Sequence, residues 1–210
     1  PDRRPILIIM VKAPVAGRVK TRLGRDIGMT NAAGWYRHQT AGLLRRLRDP
    51  RWRIVLAVAK TPNQPDPPIW PKELQRVDQG TGDLGQRMKR LLYHFHKTPA
   101  LIIGSDTPQI EKRHIAEAFM RLSKNQFVFG PSTDGGFWLV GAPRCASLPN
   151  SIFANCRWST EFALMDAKRS LSDRSYEDIA TLSDVDDVND LLKLGFAMTT
   201  ENIRVSEPHE

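Results

Sequence analysis

Residues 6–11, Ile-Leu-Ile-Ile-Met-Val, form an unbroken apolar run rich in β-branched side chains. A strand with one wet face alternates apolar with polar residues. A short run apolar on both faces is a strand buried on both faces, and such strands belong to parallel sheets covered by helices. Further runs at 52–59, 101–104, 127–130 and 137–141 read as strands, with a last strand at 177–182. Helical periodicity falls between them at 31–48 (N-capped by Thr30 or Asn31), 84–97, 111–124, 160–171 and 187–194. This alternation predicts an α/β fold with a mostly parallel sheet and helices on both faces. The chain length of 210 residues predicts one domain over 1–210. Residues 61–71 hold five prolines and read as a surface loop.

Several function classes are disfavoured at once. No apolar stretch approaches the ~20 residues of a membrane span, and the first run is too short for a signal peptide. Cys145 and Cys156 do not make a disulfide framework and read as reduced thiols. A cytoplasmic protein with no membrane partner is expected. Residues 1–50 hold 11 Lys+Arg and 3 Asp+Glu, whereas residues 51–210 hold 20 of each. An excess confined to one quarter of the chain suggests a local anionic ligand. Arg45, Arg46 and Arg48 belong to a helix C-terminus, where cations are favourable. Aromatic residues are not interleaved with the remaining cations, so no nucleic-acid partner is expected.

In open α/β sheets the ligand lies beyond the carboxyl ends of the strands. After the first strand comes KAPVAGRVKTRL (12–23), which is not a Walker A loop. If extended, it would point Arg18, Lys20 and Arg22 the same way, as suits a di- or triphosphate. After the strand at 101–104 comes Gly-Ser-Asp-Thr-Pro, with Asp106 at the sheet edge. A carboxylate opposite a phosphate loop makes sense with Mg²⁺ between them. Asp134, Gly135 and Gly136 form a tight turn that also allows close backbone approach to a ligand. The segment 183–191 carries Asp184, Asp186, Asp187 and Asp190, some of them caps of the last helix. Two features are decoys. GTGDLG (80–85) matches the dinucleotide fingerprint, but the preceding LQRVDQ is too polar for a buried strand. His94 and His96 are two apart on a helix and face different ways.

Together KAPVAGRVKTRL, GTGDLGQRM, IGSDTP, GPSTDGGFWLVG, RWST and DVDDVNDL resemble, in this order, a bacterial family labelled as glycosyltransferases. Some of its members are linked by name to arsenosugar biosynthesis. That family is similar to 2-phospho-lactate and molybdenum-cofactor guanylyltransferases, within the nucleotide-diphospho-sugar transferase superfamily. The resemblance covers roughly residues 5–195 and implies a GT-A (Rossmann-like) three-layer sandwich. It implies a nucleotide site of Lys12, Arg18, Lys20, Arg22, Gly82, Asp83 and Leu84. Asp106 and Asp186 would hold Mg²⁺ or Mn²⁺. Asp134, Gly135, Gly136, Trp158, Ser159 and Thr160 would line the acceptor or sugar side. Glycosyltransferases of this fold carry Asp-x-Asp, but position 104 is Gly. The single aspartate looks more like the nucleotidyltransferase branch.

The expected activity is Mg²⁺-dependent nucleotidyl transfer from a nucleoside triphosphate to a small phosphorylated acceptor. Lys20, Arg22 and Asp106 would act on the phosphates, largely by positioning and electrostatics. The alternative is glycosyl transfer from a nucleotide-sugar to a small-molecule hydroxyl, with Asp134 as general base. The sequence leaves the oligomeric state open.

Overall fold

The N-terminal apolar run is the middle of the molecule. In the computed structural model, which describes residues 2–60, 69–144 and 148–195, β1 (Ile6–Lys12) lies between β2 (Arg53–Ala59) and β4 (Ala100–Ile103), parallel to both. The sheet continues outward to β3 (Gln75–Asp78) on one side. On the other lie β6 (Phe137–Ala142), β5 (Phe127–Pro131) and β7 (Tyr176–Asp178). The order is β3-β2-β1-β4-β6-β5-β7. Only β6 runs against its neighbours, so the sheet is mostly parallel, as expected.

Strand alternation sends β1 side chains into two separate cores. Leu7, Ile9 and Val11 cluster with Leu43, Leu44 and Leu47 around α2 (Met29–Arg46) and with Ile115, Ala118 and Leu122 of α4 (Lys112–Leu122). Ile6 and Ile8 cluster with Met88, Leu91 and Leu92 of α3 (Leu84–His94) and Ala167 of α5 (Ala163–Arg169). The result is the expected three-layer sandwich. Two short helices, α1 (Thr21–Ile27) and α6 (Val188–Lys193), meet over a small cluster containing Leu23, Ala32, Val185 and Leu191. No helix among the described residues is long and apolar enough to cross a membrane.

Three local expectations change. The helix expected from Thr30 or Asn31 starts at Met29 with Gly28 as its cap, and α1 precedes it within the segment read as loop. Gly28, at φ 88°, separates the two helices. A strand does precede GTGDLG, but β3 is an exposed edge strand, which explains its polar sequence. The motif then enters α3 with Asp83 as N-cap, accepting the Gln86 N–H at 2.8 Å. That helix start is thus closed by its own carboxylate. The last strand is only Tyr176–Asp178, with a further bridge at Leu182 to Ser132. Of the proline-rich loop, residues 61–68 lie outside the described residues, as does Cys145.

Gly130 shows how tightly the antiparallel corner is packed. A Cβ there would stand 2.3 Å from Cε2 of Trp138, whose indole is buried and donates to the Ala180 carbonyl at 3.0 Å. Gly130→Ala is expected to cost about 1–3 kcal/mol, the usual range for overpacking. Urea unfolding should show a lower midpoint at unchanged slope.

Candidate active site

A cleft of about 840 Å³ opens at the carboxyl ends of the central strands. It lies where the strand order reverses: the chain moves from β1 outward to β2 and β3, then returns to place β4 on the other side of β1. Such switch points hold the ligands of open α/β sheets.

The segment after β1 is not extended. It turns at residues 16–18, with the Arg18 N–H on the Val15 carbonyl at 3.0 Å. Lys20 then adopts a left-handed backbone, φ 47°, immediately before α1. Few non-glycine residues do so. The bend buries the Lys20 side chain to 7% exposure while Arg18 remains on the surface. Its ammonium lies 2.7 Å from Asp106 Oδ2 and 2.9 Å from Asp186 Oδ1. Arg22, mostly exposed on α1, reaches Asp186 Oδ2 at 3.2 Å. The two cations thus converge on one carboxylate pair, by a route that alternation did not predict.

Asp106 and Asp186 come from opposite ends of the chain. The Val185 N–H donates to the Asp106 backbone carbonyl at 3.1 Å, and Val185 is fully buried. Asp184 and Asp186 flank the buried Val185, and their carboxylates come together with that of Asp106. Oxygen atoms of Asp106, Asp184 and Asp186 lie within 4.8 Å of one another. Asp187 is spent as the N-cap of α6, and Asp190 accepts the backbone N–H groups of Asp186 and Asp187. Burial, and then the charges of Asp106, Asp134 and Asp186, push the Asp184 carboxyl up to about 6. Burial opposes the charge on Lys20, but Asp106 and Asp186 outweigh it and hold the ammonium protonated well above its ordinary range.

This donor set fits a hard divalent cation. It offers carboxylate oxygens from three residues with no nitrogen or sulfur, as Mg²⁺ and Mn²⁺ prefer. Gly104 replaces the first acid of an Asp-x-Asp pair; a Cβ there would meet Asp106 Oδ1 at 3.0 Å. The further carboxylates come instead from 184–186.

The opposite wall is built by the β5–β6 turn and residues 158–163. Asp134 Oδ1 accepts the Gly136 N–H at 2.9 Å, which shapes the turn. Gly135 packs on the following wall so closely that a Cβ would lie 2.1 Å from the Glu161 carbonyl oxygen. Trp158 stands between Phe137 and Phe153, tilted against both rings. Gly85 leaves room for it at the start of α3. Arg157 anchors this segment: its guanidinium forks onto Asp166 at 2.8 and 3.0 Å, and its backbone N–H adds a third bond at 3.1 Å.

Of the residues expected from the sequence, Lys12, Arg18, Lys20, Arg22, Leu84, Asp106, Asp134, Gly136, Trp158, Ser159, Thr160 and Asp186 line this one cleft. Gly82, Asp83 and Gly135 are not in its lining. Asp83 caps α3, and the Gly82 carbonyl accepts Arg87 Nε at 2.9 Å. Sequence reasoning named Asp184 among the acids of 183–191 without assigning it to the site, and did not select Ser105, Tyr36, Gln79 or Arg87; all five also line the cleft. Asp184 had a usable signal, the Asp-Val-Asp spacing of 184–186. Tyr36 and Gln79 had none, since both reach the cleft through tertiary structure.

The Arg157 guanidinium and then its N–H hold Asp166 at about 2, below its ordinary 3.8. A lowered carboxylate pKa contributes stability above about pH 4, which is lost as pH falls toward 2. Asp166→Asn should lower stability at neutral pH and flatten this acid limb. Urea midpoints measured from pH 2 to 7 check it.

A family model described as "Uncharacterized protein conserved in bacteria (DUF2064)" matches residues 43–160. No curated protein matches in sequence. Among solved structures, a protein from Desulfovibrio desulfuricans G20 described as a nucleotide-diphospho-sugar transferase is 26% identical. It aligns with a TM-score of 0.79 over 90% of this chain and 85% of its own. A 4-diphosphocytidyl-2C-methyl-D-erythritol synthase from Anaerococcus prevotii DSM 20548 is 12% identical, with a TM-score of 0.56 over 91% and 97%. A CMP:2-keto-3-deoxy-manno-octonic acid synthetase solved with CTP is 12% identical, with a TM-score of 0.50 over 91% and 96%. The last two show the fold alone. The sandwich is therefore that of the nucleotide-diphospho-sugar transferases.

Proposed function

The chain belongs to the DUF2064 family, and from its cleft we propose a metal-dependent transferase that moves a nucleotidyl group from a nucleoside triphosphate to a small phosphorylated acceptor. One observation carries this reading. Lys20 is held between Asp106 and Asp186, with Asp184 alongside, at the switch point between β1 and β4. The similarity to the Desulfovibrio protein supports a nucleotide-bearing donor.

Asp106 and Asp186, with Asp184, are the residues that would hold Mg²⁺ or Mn²⁺. The ion would neutralise phosphate charge and orient the oxygens around the reacting phosphorus. Lys20 and Arg22, which contact these carboxylates, would take up negative charge on the leaving pyrophosphate. Lys12 and Arg18, exposed at the cleft mouth, draw the polyphosphate in. An oxygen of the acceptor phosphate attacks the α-phosphorus. The α–β P–O bond breaks, and pyrophosphate departs with the electron pair. A phosphate nucleophile is already deprotonated, so no general base is required.

Glycosyl transfer is the second reading, favoured by what the Desulfovibrio relative is called and by Asp134 in the cleft wall. A hydroxyl acceptor would need that carboxylate as base.

Thermal unfolding separates the two readings. At about 100 times its Kd a ligand adds ~2.7 kcal/mol, which raises Tm by several degrees in a chain of this size. Under nucleotidyl transfer, a nucleoside triphosphate with Mg²⁺ stabilises the wild type. Asp106→Asn loses that shift, and turnover falls at least ~100-fold, the scale of removing one transition-state electrostatic contact. Stabilisation by nucleotide-sugars alone assigns glycosyl transfer. No shift with either class refutes the site.

A further inference from the structure

The β1–β4 boundary carries a residue that the sequence did not mark. Past the Ile9–Ile103 pair, β1 continues to Lys12 while β4 has ended at Ile103. The Ile6 N–H points toward the β4 side, onto the Pro99 carbonyl. Alternation sends the N–H of Lys12 the same way, where β4 no longer offers a carbonyl. The Tyr36 hydroxyl fills that place. It accepts the Lys12 N–H at 3.0 Å and shares a 2.8 Å hydrogen bond with Ser105 Oγ. Tyr36 and Ser105 are each 5% exposed, yet both line the cleft. Ser105 immediately precedes Asp106, and Lys12 opens the cationic segment.

We infer that Tyr36 is a positioning residue: through Ser105 and the Lys12 backbone it fixes the distance between the cationic segment and the Asp106 carboxylate. This rests on the reading of the cleft as a metal–nucleotide site. The physical argument is one of rigidity. Residues 104–106 lie past the end of β4, where the Asp106 carbonyl is tied to the Val185 N–H. The Gly104 N–H bonds the Trp138 carbonyl at 3.3 Å, and Ser105 is tied by its side chain to Tyr36. A phenol anchored in α2 supplies a stiff strut, with only two side-chain torsions. Groups that orient a metal ligand from behind typically change metal affinity 10–100-fold when removed.

The test uses Tyr36→Phe, which keeps the ring and its packing, and Ser105→Ala, which removes the other end of the bond. Mn²⁺ is titrated by loss of the free-ion EPR signal, alone and with each of the four common nucleoside triphosphates. Melting of the ligand-free proteins is recorded alongside. Each variant should weaken Mn²⁺–nucleotide binding about 10–100-fold. The double variant should be no weaker than Tyr36→Phe alone, because that change already removes the bond to Ser105. Activity should show a higher Mg²⁺ requirement for half-maximal rate. A lowered melting point with wild-type Mn²⁺ affinity in both variants would overturn the inference and leave Tyr36 a core residue. A wild type that binds no Mn²⁺ with any nucleotide would overturn the metal–nucleotide reading, and the inference with it.

Discussion

Positive charge has to stand among Asp106, Asp184 and Asp186. At separations within 4.8 Å, each pair of ionised carboxylates repels by about 3–4 kcal/mol at an effective dielectric of ~20. The protein answers this in two ways. It bends the backbone at Lys20 into the left-handed region to bury an ammonium against two of the acids. It also raises the proton affinity of the third, the half-buried Asp184. The site is thus built for cations, and its charge balance follows the number of cations it holds. A divalent ion carrying a polyphosphate would suit such a place, because the ion would satisfy the acids while the phosphates would take up the lysine.

The remaining architecture serves to bring these groups together. Asp106 follows a central strand, Asp184 and Asp186 arrive from the C-terminal segment, and Lys20 leaves the first strand. Only the reversal of strand order at β1 and β4 makes these three points adjacent. The backbone bond between Val185 and Asp106 locks the C-terminal acids to the sheet. Cores on both faces, one taking Leu7, Ile9 and Val11 from β1 and the other Ile6 and Ile8, give the sheet edge the rigidity that electrostatic stabilisation of a reacting group requires.

The fold was largely legible because buried parallel strands have an unmistakable composition; β1, β2 and β4 were read from apolar runs alone. The edge strand β3 was missed because half-solvated strands need not be apolar, and Val77 is its only aliphatic residue. The helix α1 was missed because its sequence, TRLGRDI, follows a proline and glycine loop and lacks an N-cap side chain. At the site, Lys20 and Asp106 were found because strand-end positions are privileged, and Asp186 was singled out by the family resemblance. Their mutual contact was not legible, since it depends on one unusual backbone conformation at residue 20. Tyr36 illustrates the general limit: a tyrosine on the buried face of a helix is indistinguishable from a core aromatic until the fold shows what its hydroxyl meets.

On the proposed reading, Asp106, Asp184 and Asp186 hold a divalent ion that brings a nucleotide with it. The direct measurement is anomalous diffraction from crystals soaked in Mn²⁺ and a nucleoside triphosphate. A manganese peak is expected against Asp106 and Asp186, with phosphate density on the same ion and the Lys20 ammonium turned toward the phosphate. A manganese peak elsewhere, or nucleotide bound away from these carboxylates with Lys20 still between them, would contradict that reading.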